Sequence, residues 1–247
     1  MEEGYQKSLH KFDVSVEKRQ PLISIIIPAF NEQENIDEVL TQTYHTAESI
    51  GLPYEIIVID DGSTDETRKR AYGHKAIVLH NPTNQGKGVA LQRGFLHARG
   101  DIVITMDSDG SHDPEDIKKL IVAISGGADV ALGTRFNTTE GKHTTKKLHI
   151  LGNNVINFSI QMLTGKRITD SQCGFRALRR KVLKDIELES TGYQVETELT
   201  VKSLRNGNIV KEVPLNIRKR MNGHSHLNPL ADGLRIMGTI IRSRVEP

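Results

Sequence analysis

Asp101-Ile-Val-Ile-Thr-Met-Asp107-Ser108-Asp109 is an apolar run that ends in two carboxylates one residue apart. A second run, Tyr54-Glu-Ile-Ile-Val-Ile-Asp60-Asp61, closes the same way. Short Ile- and Val-rich runs bounded by turn residues read as strands of a parallel sheet covered on both faces. In open α/β sheets, ligands bind outside the carboxyl ends of such strands. Two acidic pairs at one sheet edge repel each other unless a cation or a donor-rich ligand compensates them. The pattern points to a site for a metal ion and for the polar groups of a nucleotide.

Outward from these runs, strand and helix patterns alternate. Strands are expected at Leu22–Pro28, Tyr54–Asp60, Lys75–His80, Ile102–Met106 and Ala128–Thr134. Helices are expected at Gln33–Ile50, after the cap cluster Ser63-Thr64-Asp65, at Gly88–Ala98 and from Asp113-Pro114-Glu115, where proline suits the first turn. Repeated strand–helix units imply a mostly parallel central sheet flanked by helices, with right-handed crossovers. Beyond Arg135 the rhythm changes. Thr138–Lys147 reads as a polar loop, Leu148–Thr164 as a helix and Thr169–Phe175 as turns. A helix at Val195–Arg205, a strand at Ile209–Val213 and a last helix from Pro229 complete the chain. No internal repeat is visible.

The length, 247 residues, suits one well-buried α/β domain. A net charge of +2 gives no reason to expect a nucleic-acid partner. Basic residues gather between Lys211 and Arg244, where only Glu212 and Asp232 are acidic, and such an end suits phosphate or an anionic membrane face. A single cysteine, Cys173, excludes an intrachain disulfide and fits a reducing compartment. The sequon Asn137-Thr138-Thr139 reads as chance in such a chain. No apolar run approaches the roughly 18–20 residues that span a bilayer, and the polar first twenty residues carry no signal-peptide core. Leu230, Leu234, Met237, Ile240 and Ile241 share one side of the last helix, with Arg235, Arg242 and Arg244 mostly elsewhere, the pattern of an interfacial helix or of a packed terminal one.

The first strand runs into Pro28-Ala29-Phe30-Asn31-Glu32 with no Gly-rich turn, and no Walker lysine pattern occurs, which argues against dinucleotide dehydrogenases and P-loop enzymes. That segment, with Asp60-Asp61-Gly62-Ser63-Thr64-Asp65, Asn84-Gln85-Gly86-Lys87-Gly88 and Asp107-Ser108-Asp109, resembles the family-2 glycosyltransferases, whose fold is the nucleotide-sugar-binding GT-A fold. Gly133-Thr134-Arg135, the stretch Asp170 to Ala177, Glu212-Val213-Pro214 and the tail Arg220 to Leu227 are similar to the polyprenyl-phosphate sugar synthases, dolichol-phosphate mannose synthases among them. The resemblance implies a tail over 1–20 and one GT-A domain over 21–247, with 21–135 binding the nucleotide sugar and 136–247 the acceptor.

It also implies roles. Pro28, Phe30, Glu32, Ile59 and Asp61 would line the nucleotide pocket, although Phe30 alone also suits a core and Glu32 a helix start. Lys87, Asp107 and Ser108 would contact the donor. Asp109 would be the principal ligand of Mg²⁺ or Mn²⁺, with Asp107 beside it, since hard cations suit carboxylate and pyrophosphate oxygens. Mannose synthases usually carry Gln two residues after the second Asp; here Ser111 stands there, with His112 and Asp113 as other candidate ligands. Arg135, Lys146 and Arg220 would surround donor and acceptor phosphates, joined by Arg176 unless it serves a structural ion pair. Ser225 and His226 would contact the acceptor, where the family often has Ser-Lys.

The activity implied is transfer of mannose from GDP-mannose to dolichyl or polyprenyl phosphate by an inverting in-line displacement, at the cytoplasmic face of a membrane, with contact either direct or through a small membrane subunit. Ser111 and His226 keep UDP-glucose and UDP-N-acetylglucosamine open as donors. An acceptor phosphate is already anionic and needs no strong base; a hydroxyl acceptor would need one, for which Glu196 or Glu198 is available. A nucleotide-sugar-binding scaffold without catalysis is the non-enzyme alternative.

Overall fold

The computed structural model describes residues 20–135, 147–216, 218, 220–222 and 229–245. Its strands are β1 (Ile23–Ala29), β2 (Tyr54–Asp60), β3 (Ile77–His80), β4 (Ile102–Thr105), β5 (Val130–Thr134), β6 (Arg176–Arg179) and β7 (Val210–Pro214). They form one sheet in the order β3-β2-β1-β4-β6-β5-β7. The helices are α1 (Ile36–Ile50), α2 (Thr67–Tyr72), α3 (Lys87–His97), α4 (Ile117–Ser125), α5 (Lys147–Thr164), α6 (Arg180–Lys184), α7 (Val195–Arg205) and α8 (Pro229–Val245). A 3₁₀ turn, Pro114–Asp116, precedes α4; Asp113 caps it by accepting from the Glu115 amide at 3.1 Å.

The isoleucine run of β1 is continuous because both faces of the sheet are covered. Ile25 and Ile27 pack with Ile36 and Leu40 of α1 and with Leu120 and Ile121 of α4. Ile26 turns to the other side, where it meets Ile57, Ile59 and Ala90 and Leu91 of α3. Each such side chain is fully buried and contributes roughly 1.5–3 kcal/mol. β1 pairs in parallel with β2, Ala29 opposite Asp60, and with β4 on its other edge. The carboxyl ends of β1, β2 and β4 therefore open on one side of the sheet, which carries the site.

Neither β6 nor the short helix α6 is part of the expected pattern. β6 lies antiparallel between β4 and β5, with Arg176 opposite both Thr105 and Leu132. Its sequence, Arg-Ala-Leu-Arg, has neither length nor alternation to mark a strand. The arginines serve the fold: Arg179 donates to the carbonyls of Ile124, in the last turn of α4, and of Ala128, just past it. Among the described residues no helix is long and apolar enough to cross a membrane. The expected tail, apart from Gln20, and the expected loop between Thr138 and Lys146 lie outside the described residues.

Candidate active site

After β1 the chain reverses through Asn31, held left-handed at φ 54°. Asparagine tolerates that conformation because its short amide binds locally. Its Oδ1 accepts from the Thr64 amide at 2.9 Å, and its own amide donates to Ser63 at 3.0 Å, so the loops after β1 and β2 are one unit. Pro28 and Phe30 are half-buried there. The two acids ending β2 divide the work. Asp60 meets His80 Nδ1 at 2.8 Å and accepts from the Ser63 amide. Asp61 accepts from Asn81 Nδ2 and from the amides of Gln85 and Gly86, at 2.7 to 3.0 Å, and shapes the loop before α3.

Ile59, expected in the nucleotide pocket, is fully buried and packs in the core with Ile26, Leu91 and Val103. Alternation along β2 sends its side chain beneath the site whereas the acids continue past the sheet edge. Glu32 stands at the rim, 8% exposed, and burial raises its pKa against the opposing pull of Asn35 and Arg220.

Lys87 opens α3, where a positive charge faces the positive end of the helix dipole. Two carboxylates compensate: its Nζ lies 2.6 Å from Asp107 Oδ1 and 2.6 Å from Glu196 Oε1, and 5.8 Å from the ring centre of Tyr193. Burial opposes the charge on Lys87, but the two acids outweigh it and hold the ammonium pKa above its ordinary value. Burial likewise works against Asp107, and Lys87, then His112 and Arg135, keep its carboxyl below the usual range. Glycines on either side permit this packing. A Cβ on Gly88 would stand 2.0 Å from the Ser190 carbonyl oxygen, and one on Gly174 would stand 2.8 Å from Asp107 and 2.9 Å from Lys87 Nζ.

Ser108 donates to the Pro28 carbonyl at 2.9 Å, tying the end of β1 to the acidic loop. Asp109 Oδ1 accepts from the Ser111 amide at 2.9 Å and its hydroxyl at 2.6 Å, while Oδ2 accepts from Arg220 at 3.0 Å. Arg220 also approaches Glu32 Oε1 at 3.6 Å. Backbone bonds from Arg218 to Ser111 and from Met221 to Asp109 lay Arg218, Arg220 and Met221 along this loop. The tail arginine thereby reaches an acid 111 residues away.

Asp109 and Ser111 present adjacent oxygens, a donor set that fits a hard cation completed by water and phosphate oxygens. Among the described residues no three His, Cys, Asp or Glu side chains cluster to hold a metal by themselves. His112 and Asp113 are engaged elsewhere. His112 Nδ1 accepts from the Asp107 amide and its ring stacks on Phe175 at 5.0 Å; burial lowers its pKa. Asp113 caps the 3₁₀ turn and meets Arg218 at 2.9 Å.

Arg135, at the end of β5, forks onto Asp170 with 2.7 and 2.8 Å bonds. Burial works against its charge, and Asp170 more than offsets this, so its pKa is raised. Glu212 of β7 holds the same turn through the Thr169 and Asp170 amides. Arg176, expected at a phosphate, is 1% exposed and donates to the carbonyls of Ser171, Cys173 and Glu196. It braces the turn against α7, with no face left for a ligand. Lys146, Ser225 and His226 lie outside the described residues. Glu198 receives the Glu189 and Ser190 amides, so it is a loop anchor and not a base. Glu196, as partner of Lys87, belongs to the site; a lysine at a helix start is the sequence signal that calls for such acids.

Residues 24–187 match the family model described as glycosyl transferase family 2. The chain belongs to that family. This glycosyltransferase is 34% identical over 212 residues to a dolichol-phosphate mannosyltransferase of Pyrococcus furiosus, covering 83% of this chain and 59% of the relative, so it spans less than two thirds of that protein. It is 32% identical over 216 residues to the polyprenol monophosphomannose synthase of Mycolicibacterium smegmatis, covering 83% of this chain and 80% of the relative. The glycosyltransferase has the GT-A fold. It superposes on glucosyl-3-phosphoglycerate synthase from Mycobacterium tuberculosis, solved with uridine diphosphate, with a TM-score of 0.77 at 22% identity, covering 98% of this chain and 85% of the other. A second structure of that enzyme, with Mn²⁺, uridine diphosphate and phosphoglyceric acid, gives a TM-score of 0.75 at 23% identity, over 98% and 83% of the two chains.

Proposed function

We propose that this glycosyltransferase moves mannose from GDP-mannose to the phosphate of a dolichyl or other polyprenyl lipid, as a peripheral protein at the cytoplasmic face of a membrane. One observation carries the acceptor part: both carboxylates in the first turn of α7 are already engaged, Glu196 by Lys87 and Glu198 by backbone amides. Both are also buried, 4% and 2% exposed, which keeps an acceptor hydroxyl away from them. A phosphate needs no such help, being ionised at neutral pH. The names of the two relatives support the same acceptor class and the mannosyl donor.

In this reading a phosphate oxygen of the lipid attacks the anomeric carbon, the bond from that carbon to the diphosphate oxygen breaks, and the nucleoside diphosphate departs with the electron pair. Asp109 and Ser111, beside Asp107, would hold Mg²⁺ or Mn²⁺, which would neutralise charge on the leaving diphosphate. Pro28, Phe30, Glu32 and Asp61 shape the nucleotide pocket. Lys87 holds Asp107 and the Ser108 clip orients the loop, while Arg135 and Arg220 add fixed positive charge where phosphates meet. The family resemblance assigns Lys146 to the donor and acceptor phosphates and Ser225 and His226 to the acceptor.

Ser111 and His226, where the family usually carries Gln and often Lys, keep a second donor in view, a UDP-sugar with glucose or N-acetylglucosamine. The test is transfer of labelled sugar from GDP-mannose, UDP-glucose and UDP-N-acetylglucosamine to a short polyprenyl phosphate with Mg²⁺ or Mn²⁺. An acid-labile mannosyl phosphate lipid is expected. No lipid-phosphate product from any donor refutes the acceptor reading, and a UDP-sugar product alone replaces the donor.

A further inference from the structure

α5 carries three asparagines, Asn153, Asn154 and Asn157. Asn154 is exposed, whereas Asn153 and Asn157 are buried, at 5% and 7% exposure. Both buried amides turn to the segment that follows the helix. Asn153 Nδ2 donates to the Thr169 carbonyl at 3.0 Å, and Asn157 Nδ2 donates to the same oxygen at 2.7 Å. Asn157 Oδ1 also accepts from the Ser171 amide at 3.2 Å. One side chain thus grips the turn on both sides of Asp170.

The other grip comes from β7. Glu212 Oε1 accepts from the Thr169 amide and hydroxyl, both at 2.7 Å, and from the Asp170 amide at 3.1 Å. Every amide from Thr169 to Ser171 therefore goes to a side chain of another element. Buried backbone groups need such partners. Asp170 and Ser171 are fully buried, so a lost partner is not made up by water. What the turn presents is the Asp170 carboxylate, which takes the Arg135 amide at 3.1 Å, Nε at 2.7 Å and Nη2 at 2.8 Å. Paired bonds of this kind fix the plane of a guanidinium as well as its place. The Arg135 side chain keeps 30% of its surface exposed, and the plane it offers outward is the one Asp170 sets.

We propose that Asn157 and Glu212 are positioning residues for the transfer: they hold the turn 169–171 from two sides, so that Asp170 aims the Arg135 guanidinium at the phosphates. The assignment rests on the phosphate role of Arg135 in the proposed function and names what keeps that arginine in place. A catalytic group displaced by about 1 Å loses up to about 10²-fold in rate. Sugar transfer to a detergent-solubilised short polyprenyl phosphate, measured well below the melting temperature of each variant, tests it. Asn157→Leu keeps the volume of the side chain and removes both kinds of bond, and should lower kcat about 10- to 100-fold. Glu212→Leu should do the same. Glu212→Gln, whose amide oxygen can still take the three donors, should restore transfer to within about threefold of wild type.

A cycle with Arg135→Gln separates positioning from stability. Once the guanidinium is gone its placement no longer matters, so Asn157→Leu should cost under about threefold in that background. A role confined to stability would make the two losses multiply. Multiplied losses, full activity of Asn157→Leu, or a Glu212→Gln no better than Glu212→Leu each overturn the positioning role and leave the proposed function standing. Wild type that transfers sugar to no polyprenyl phosphate overturns the proposed function and the positioning role with it.

Discussion

Replacing Lys87 by methionine keeps the stem of the side chain and removes the charge shared by Asp107 and Glu196. Both carboxylates sit 2.6 Å from Nζ, and the side chains are 15% exposed for Lys87, 28% for Asp107 and 4% for Glu196. Removing one member of a buried pair costs roughly 3–5 kcal/mol because the remaining charge is left uncompensated. Partial exposure of Lys87 and Asp107 places the loss near the lower bound, about 3 kcal/mol. In a domain of this length that corresponds to a fall in Tm of about 6–12 °C. Urea unfolding of K87M, E196Q and the double variant closes a thermodynamic cycle. The double should be more stable than the sum of its parts by about 1–3 kcal/mol, since Glu196→Gln removes one of the stranded charges.

The pH dependence follows from the two shifted groups. Lys87 is raised, so its contribution is complete below the unfolded lysine value of about 10.4 and fades only as pH rises through the higher folded value. Asp107 is lowered, so its contribution is complete above the unfolded value of about 3.9 and is lost as pH falls through the folded one. The gap between wild type and K87M should therefore stay level from about pH 5 to 9 and shrink in acid. A loss under about 1 kcal/mol, as for a surface pair, or strict additivity in the cycle, would refute the reasoning.

Other outcomes follow from single contacts. Asp109→Ala should lower transfer by at least about 10²-fold and remove stabilisation by Mn²⁺ in thermal melts; retained metal stabilisation would place the cation elsewhere. Arg176→Met should lower stability by about 3 kcal/mol yet leave nucleotide affinity of the folded protein unchanged by calorimetry. A selective loss of affinity at constant stability would return Arg176 to the ligand. Gly88→Ala should fold poorly, because the added methyl meets the Ser190 carbonyl oxygen at 2.0 Å and no flexible side chain can yield there. Wild-type melting of that variant would disprove the close approach.

Local pattern carried a large share of the architecture. The Ile- and Val-rich runs of β1, β2 and β4 announced strands buried on both faces, since burial of that kind leaves no polar alternation. Asp113-Pro114-Glu115 marked a helical start through backbone rules that act over a few residues. β6 escaped notice because four residues with arginine at both ends bear no such pattern; it becomes a strand through pairing with β4 and β5.

The same division holds at the site. By its own order of residues, the sequence determined the Asp107-Ser108-Asp109 loop at a strand end and the glycines around Lys87. Only the tertiary structure decided who meets whom. It placed Arg220 on Asp109, put Glu196 against Lys87, and withdrew Ile59 and Arg176 into the interior. Propensity, capping and periodicity act between near neighbours and can be read along the chain. Charge pairing and burial depend on distances in space, and Asp109 and Arg220, 111 residues apart in sequence, become partners only when the chain folds back on itself.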